Sequence, residues 1–235
     1  MNMNESTKES LIAWEANADF WDAKMGDESN RCHREIVRPK TELLLNVQQN
    51  DFVLDIACGN GNFSKRLVEF GATVVAFDYS SKMIENAKKR QLAYQAYIDF
   101  HVCDATNYNQ IIELRKEKPY DKAVSNMAVM DIADIKPMFQ AVYDLLKMDG
   151  IFVFSTLHPC FQKPSGKYLT PCVYEGEAIT GQPVLQKYYH RSLQEIFSIC
   201  LDCGFIVDGF FEEAKSADED PFIIIVRLKK VKRTE

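Results

Sequence analysis

The strongest constraint on this chain is the alternation of two periodicities between about Asp51 and Thr156. Short β-branched runs are followed, again and again, by segments whose apolar residues recur at helical spacing. That pattern is produced by βα units laid on a parallel sheet, whose strands are buried on both faces and need helices to cover them. The strands are predicted at Phe52–Ala57, Thr73–Phe77, Ile98–Val102, Ala123–Asn126 and Ile151–Ser155. The helices between them are predicted at Phe63–Phe70, Ser81–Tyr94, Tyr108–Lys116 and Ile135–Lys147. In the last, Ile135, Met138, Phe139, Val142, Leu145 and Leu146 form one apolar stripe, and Asp149-Gly150 is expected to end the unit before the fifth strand. A helix over Ser192–Cys203 and two strands, Phe205–Phe211 and Phe222–Leu228, complete the chain. Only a short acidic loop separates those two strands, so they are expected to be antiparallel.

The flanks differ. Leu11, Trp14, Ala18, Trp21 and Met25 recur at steps of three and four, which places them on one helix face. Gly26 should break this helix and Pro39 open another, giving a helical N-terminal cap over residues 1–50. Trp14 is expected in the core, whereas Trp21 is a candidate for lining a pocket. Between Leu157 and Tyr189 the periodicity fails, punctuated by Pro159, Pro164, Gly166, Pro171, Gly176, Gly181 and Pro183. An irregular excursion of that length in a compact domain is usually functional, and a lid-like insertion at about 157–190 is expected.

Composition narrows the function classes. The 235 residues carry a formal net charge of −6, which repels phosphate backbones, so no nucleic-acid partner is expected despite the basic run Lys229-Lys230-Val231-Lys232-Arg233. The seven cysteines are odd in number and irregular in spacing, which argues against a disulfide framework. Cys200 and Cys203 lack a second pair to complete a zinc set, so on their predicted helix they are read as a core thiol and its neighbour, and no metal site is expected. No signal-peptide or membrane-spanning pattern is present, so the chain reads as cytoplasmic, with a small-molecule substrate and a monomeric or homodimeric state.

The chemistry concentrates at strand ends. Val53-Leu54-Asp55-Ile56-Ala57-Cys58-Gly59-Asn60-Gly61 runs a buried strand into a glycine turn that opens a helix, the place where α/β sheets hold nucleotides. Alone it fits NAD as well, although Ser64 stands where a dinucleotide fingerprint wants Gly or Ala. Asp78, after the second strand, is suited to accept two hydrogen bonds from ribose hydroxyls. Asp104 and Ala105, after the third, can meet the amino group and a ring nitrogen of adenine. Asn126 ends the fourth strand near where a sulfonium centre would lie.

In these residues the chain resembles the class I S-adenosylmethionine-dependent methyltransferases, strongly over about Asp51–Ser155 and in outline over the last two strands. Asp55-x-x-x-Gly59-x-Gly61 looks like the family's first motif, Asp78 like its ribose-binding acid, Asp104-Ala105 like its adenine contact, and Asn126 lies in its fourth motif. Leu145-Leu146-Lys147-Met148-Asp149-Gly150 looks like the segment before the fifth strand, with Met148-Asp149 where the family often has proline. Phe20-Trp21-Asp22 and Tyr189-His190-Arg191-Ser192-Leu193 look more loosely like segments of small-molecule members. The resemblance implies a Rossmann-like, seven-stranded, mostly parallel sheet with a C-terminal antiparallel strand and helices on both faces. It implies S-adenosylmethionine as cofactor, S-adenosylhomocysteine as product, and a cofactor set of Asp55, Ala57, Gly59, Gly61, Asp78, Tyr79, Met83, Asp104, Ala105 and Asn126. In-line methyl transfer needs positioning above all, plus a base if the nucleophile carries a proton. His158, just beyond the fifth strand, is the first candidate for that base, and His101, inside the third strand, is expected to pack. Trp21, His33, Tyr188, His190 and Arg191 are candidates for the substrate pocket. Asp131 and Asp134, which could imitate a metal-binding pair, are expected to begin a helix. Two other readings compete: a non-catalytic binder of adenosyl ligands, and an NAD-dependent oxidoreductase.

Overall fold

The structure, a computed structural model, describes residues 5–161 and 166–232; Pro164 and Arg233 lie outside them. The predicted strands form as β1 (Phe52–Ile56), β2 (Thr73–Asp78), β3 (Ile98–Val102), β4 (Tyr120–Ser125) and β5 (Leu146–Leu157). A hairpin not foreseen from the sequence follows, β6 (Cys172–Gly176) and β7 (Gln186–His190), and the chain closes with β8 (Phe205–Glu213) and β9 (Ile223–Lys230). The main sheet has seven strands in the order β3-β2-β1-β4-β5-β9-β8. β1 through β5 are mutually parallel and β9 runs antiparallel to both β5 and β8.

The helices are α1 (Glu5–Met25), α2 (Arg38–Leu45), α3 (Asn62–Glu69), α4 (Ser81–Arg90), α5 (Tyr108–Ile112), α6 (Lys136–Leu145) and α7 (Leu193–Asp202). Alternation along each strand divides the core into two layers. Leu54, Val75, Phe77, Ala123, Phe152 and Phe154 face the layer built with α6 and α7, whereas Val53, Val74, Ala76, Val124 and Val153 face that of α2, α3 and α4. The whole predicted α6 stripe, Ile135 to Leu146, is buried in the first layer, as are Cys200 and Cys203.

Several boundaries moved for identifiable reasons. β5 begins at Leu146 rather than Ile151, because Leu146 already pairs with Tyr120 before a bulge restores the register at Lys122 and Ile151. Asp149-Gly150 is therefore a kink inside the strand: Asp149 is left-handed at φ 61° and its carboxylate pairs with Lys229 at 2.9 Å. The fourth helix ends at Arg90 with a short 3-10 turn over Leu92–Tyr94. Pro39 opens α2 as expected, but a π-helical stretch over Cys32–Val37 leads directly into it. Trp14 is not a core residue: with Trp21 and Met25 it lines a cavity.

Candidate active site

The order of the sheet reverses between β1 and β4, so the chains leaving their carboxyl ends diverge and leave a crevice. There the structure has a cavity of about 480 Å³. Its floor is the strand ends, and its roof is α1 together with the β6–β7 hairpin. All of the predicted cofactor residues except Gly61 line this one space. Gly61 stands one step behind, as the left-handed residue (φ 74°) that turns the chain into α3. A Cβ there would sit 2.8 Å from the Phe100 ring.

The acids of the floor are held in different ways. Asp55 is buried and accepts a 2.5 Å hydrogen bond from the Ser64 hydroxyl. Burial nevertheless pushes its carboxyl up to about 7, with the neighbouring Asp78 charge adding to the shift. The residue that breaks the dinucleotide fingerprint thus anchors the strand acid. Asp78 accepts from the backbone amides of Ser80 (2.9 Å) and Gly59 (3.1 Å), tying the second strand end to the glycine loop. Burial outweighs those bonds and pushes Asp78 up to about 6. A carboxylate in that state gains from further donors, which ribose hydroxyls supply, so the site fits the adenosyl group its motifs imply. Asp104 accepts from the backbone amide and hydroxyl of Thr106, both at 2.8 Å, and still borders the cavity. Asn126 Oδ1 accepts from Thr41 and Ser155 hydroxyls at 3.1 Å, joining α2, β4 and β5 at the crevice.

Two non-glycine residues on the floor are left-handed, Ala57 (φ 54°) and Met127 (φ 52°). They follow β1 and β4, the strands that flank the crevice. Such backbone costs about 1–2 kcal/mol for a residue with a Cβ and is held there by its surroundings.

The roof is tied to the floor by α1. Asp22 takes both ends of the Arg90 guanidinium at 2.7 Å and the Asn60 amide at 2.9 Å, so the helix is clamped to α4 and the glycine loop. Trp21 lies over Gly59, where a Cβ would come within 3.1 Å of the indole. Farther along, the Asn17 side chain exchanges two hydrogen bonds with the Val184 backbone, at 2.7 and 3.0 Å, and Glu9 pairs with Lys187. These contacts hold the hairpin loop against α1.

Of the substrate candidates, Trp21, His33 and Tyr188 line the cavity and His190 and Arg191 do not; nor does His158, the candidate base. His158 is buried, with Nε2 bonded to Glu212 at 2.7 Å and Nδ1 accepting from the Cys160 amide at 3.2 Å. Both nitrogens are thus engaged away from the cavity, because β5 continues two residues beyond its predicted end and carries His158 past the crevice. His190 Nε2 bonds the Tyr168 carbonyl at 2.9 Å. Arg191 donates to the carbonyls of Ile132 (2.8 Å) and Ala133 (2.6 Å), fastening the end of the hairpin to the loop after β4. His33 has Nδ1 on Asn30 Oδ1 at 3.0 Å, so its proton resides there and Nε2 keeps a lone pair. Burial, with the Arg38 charge nearby, pulls His33 down to about 4 and keeps it neutral. His101, at the sheet edge, pairs with Asp99 at 2.9 Å.

Sequence reasoning missed several lining residues. Tyr174 and Gln186 come from the unforeseen hairpin, and Ser10, which bonds the Tyr79 hydroxyl at 2.9 Å, is a polar residue on the helix face expected to be apolar. Asp131 ends a 3-10 turn, Val129–Asp131, with its side chain toward the cavity instead of beginning a helix. The signal for it was its place five residues beyond Asn126.

The same chain matches a family model described as a methyltransferase domain over residues 48–195. The chain belongs to the class I S-adenosylmethionine-dependent methyltransferases. Among relatives, the carboxy-S-adenosyl-L-methionine synthase of Nitratiruptor sp. is 27% identical over 203 residues, 80% of each chain. A malonyl-[acyl-carrier protein] O-methyltransferase of Ilyobacter polytropus is 31% identical over 120 residues, 50% of this chain and 42% of its own length. Among solved structures, the didemethyltoxoflavin N1-methyltransferase of Burkholderia thailandensis, crystallised with its substrate and S-adenosylhomocysteine, superposes with a TM-score of 0.64. That match covers 99% of this chain and 93% of the other, at 15% identity. Membership in this family replaces the NAD reading.

Proposed function

We propose that this methyltransferase acts on a small-molecule acceptor held between the strand ends and the roof. The observation that carries the reading is that one cavity of about 480 Å³ is bordered both by the cofactor motifs and by α1 and the hairpin. That volume is in the range of small-molecule sites. The net charge of −6 supports a small acceptor over a nucleic acid. Among the described residues no helix is long and apolar enough to cross a membrane.

S-adenosylmethionine supplies a methyl group on a positively charged sulfur, already electrophilic enough to react once a nucleophile is aligned. The residues of this chain have the tasks of binding, alignment and exclusion of water. Asp78 would accept the ribose hydroxyls, Asp104 and Ala105 would meet the adenine, and the loop of Ala57 and Gly59 would pass along the methionine part. Arg38, the one Lys or Arg among the described lining residues, would face its carboxylate. Residues 5–50 and the hairpin act as a cover, with Trp21 closing over the glycine loop. His158 has no part in this scheme.

Calorimetric titration with S-adenosylmethionine, S-adenosylhomocysteine and NAD tests the reading. Saturable binding of both adenosyl ligands without NAD is expected, followed by methyl transfer in a screen of small acceptors. Binding of the adenosyl ligands together with methylation of nucleic acid or protein alone would overturn the small-acceptor assignment.

A further inference from the structure

Among the described acids that border the cavity, Asp131 and Glu177 lie outside the cofactor motifs, and Glu177 accepts from the Gly181 amide at 3.3 Å in the hairpin loop. Asp55 is taken by Ser64, Asp78 by two amides and Asp104 by Thr106. Asp131 Oδ1 accepts from the Gln186 side chain at 3.0 Å, and Gln182 in turn reaches Gln186 Oε1 at 3.5 Å. These hairpin amides orient the carboxylate. Its other oxygen, Oδ2, accepts no hydrogen bond from a described residue, and the group has no ion pair among them.

The surroundings select the charge of what would meet it. Asp55, Asp78, Asp104, Asp131 and Glu177 border the cavity against the single guanidinium of Arg38, which already donates to the Glu28 carbonyl at 2.8 Å. A second anion entering this space would be repelled, and an enclosed carboxylate gains most from a cation that pairs with it. Enclosure pushes the Asp131 carboxyl well above its ordinary value, with the Asp78 charge adding to the effect. The carboxylate also opposes ionisation of Tyr174 and Tyr188, so its field reaches both rings. Those rings lie 5.3 Å apart, inclined by 30°, and both border the cavity. Gly176 lets Tyr188 lie close: a Cβ would come within 3.0 Å of the ring. Aromatic faces beside a carboxylate suit an ammonium group on a flat or apolar body.

We propose that Asp131 binds the ammonium group of the methyl acceptor and takes its proton, so that the acceptor is an amine carried on an apolar or aromatic body packed against Tyr174 and Tyr188. This rests on the small-acceptor reading above. The ammonium passes one proton to Asp131 Oδ2 and the nitrogen lone pair forms the new N–C bond to the methyl carbon. The C–S bond breaks with its electron pair retained by sulfur, which leaves as neutral S-adenosylhomocysteine. The methylated nitrogen keeps the positive charge, and the proton on Asp131 goes to solvent when product departs. A carboxylate pushed toward neutrality is the stronger base for that transfer.

The test is equilibrium binding to the full chain saturated with S-adenosylhomocysteine, using three matched probe sets. These are benzylamine, benzyl alcohol and benzoate; phenethylamine, phenethyl alcohol and phenylacetate; and tryptamine, tryptophol and indoleacetate. At least one amine is expected to bind about tenfold or more tighter than its matched alcohol and acid, the scale of a hydrogen bond to a charged partner. Asp131→Asn should remove that preference while the protein still binds S-adenosylhomocysteine, whose ribose contact is assigned to Asp78. Retained affinity for the product also shows that the variant is folded. Should the variant not fold, the ranking of probes on the unaltered protein decides. Amines that bind no better than the acids or alcohols, or not at all, overturn the inference, as does an amine preference that survives Asp131→Asn. Failure of S-adenosylhomocysteine itself to bind would instead overturn the cofactor assignment.

Discussion

The floor and the roof of the cavity are built on different principles. On the floor Asp55, Asp78, Asp104 and Asn126 each sit within a residue or two of a strand end, and the strands are fixed by two buried core layers. In the roof the lining residues come from α1 and from a hairpin that forms a two-stranded sheet of its own. Beside the buried Ala13, Ala18, Met25 and Tyr188, the roof is held by side-chain bonds: Asn17 on Val184, Glu9 on Lys187, Asp22 on Arg90 and Asn60. The floor therefore rests on burial in two core layers, and much of the roof on bonds that individually contribute about 1 kcal/mol. A cofactor site that must present fixed donors and acceptors belongs on the first. A cover that must admit and release ligands belongs on the second.

The sharpest way to break this contrast is at Gly61. Gly61→Ala combines a left-handed φ with a contact 2.8 Å from Phe100, and a loss of roughly 2–4 kcal/mol is expected in denaturant unfolding. A loss below about 0.5 kcal/mol, the range of ordinary surface changes, would show that the floor is more pliant than described.

Next comes Asp78→Ala, expected to weaken S-adenosylmethionine binding about 10- to 100-fold in calorimetry, the equivalent of hydrogen bonds to a charged group. The native fold should persist. Unchanged affinity in a stably folded variant would remove Asp78 from the ribose contact. The unaltered protein should show the same dependence through pH, because the form that accepts hydroxyl donors is the ionised one. With Asp78 raised to about 6, affinity should decline as pH falls through that value. Stability of the ligand-free protein should respond in the opposite sense. Asp55 and Asp78 have folded values of about 7 and 6 against an ordinary 3.8. Their contribution is complete below that ordinary value and is lost as pH rises through 6 and 7, since the native state holds the extra protons. Thermal melts across this window check the sign. A ligand-free protein whose pair contribution grew with pH, isolated by comparing Asp55→Asn and Asp78→Asn with the parent, would contradict it.

Asn17→Ala probes the roof. Losing both bonds to Val184 should cost about 1 kcal/mol or somewhat more, read as faster hydrogen exchange in the hairpin loop and α1 while β1, β2 and β4 keep their protection. Equal loss of protection on the floor would mean that the two halves open as one unit. The smallest effect is expected at Ala57. Ala57→Gly relieves a left-handed Ala at the cost of a more flexible unfolded chain, for a net gain of about 0.5 kcal/mol. A net loss would place the stabilisation in contacts of the Ala57 methyl group.

The same contrast explains what could be read in advance. The strands and floor residues were legible because a parallel sheet imposes its own grammar: apolar runs, a glycine turn, an acid at the next strand end. Asp78 and Asp104 follow from that spacing, Asn126 from its place at the fourth strand end, and Asp55 from the resemblance of its motif to the family's first. The hairpin was not legible, since β6 has no buried residue and β7 no exposed one, so neither shows a buried-to-exposed alternation, and Gly181 and Pro183 punctuate the loop between them. His158 illustrates the limit. Its position just beyond a strand placed it correctly along the chain, but two more residues of pairing with β9 carried its ring to Glu212.

By itself, then, the sequence determined the sheet, its two apolar layers, and the acids and glycines at its carboxyl edge, because local periodicity and strand-end spacing dictate them. The tertiary structure alone decided which side chains meet across the cavity. Trp14 and Ser10 turned inward, Arg191 was spent on backbone carbonyls, and Asp131 came to face Tyr174 and Tyr188. Those outcomes depend on contacts between segments distant in sequence, such as Asp131 with Gln186, Arg191 with Ile132 and Asn17 with Val184, and no local pattern encodes them.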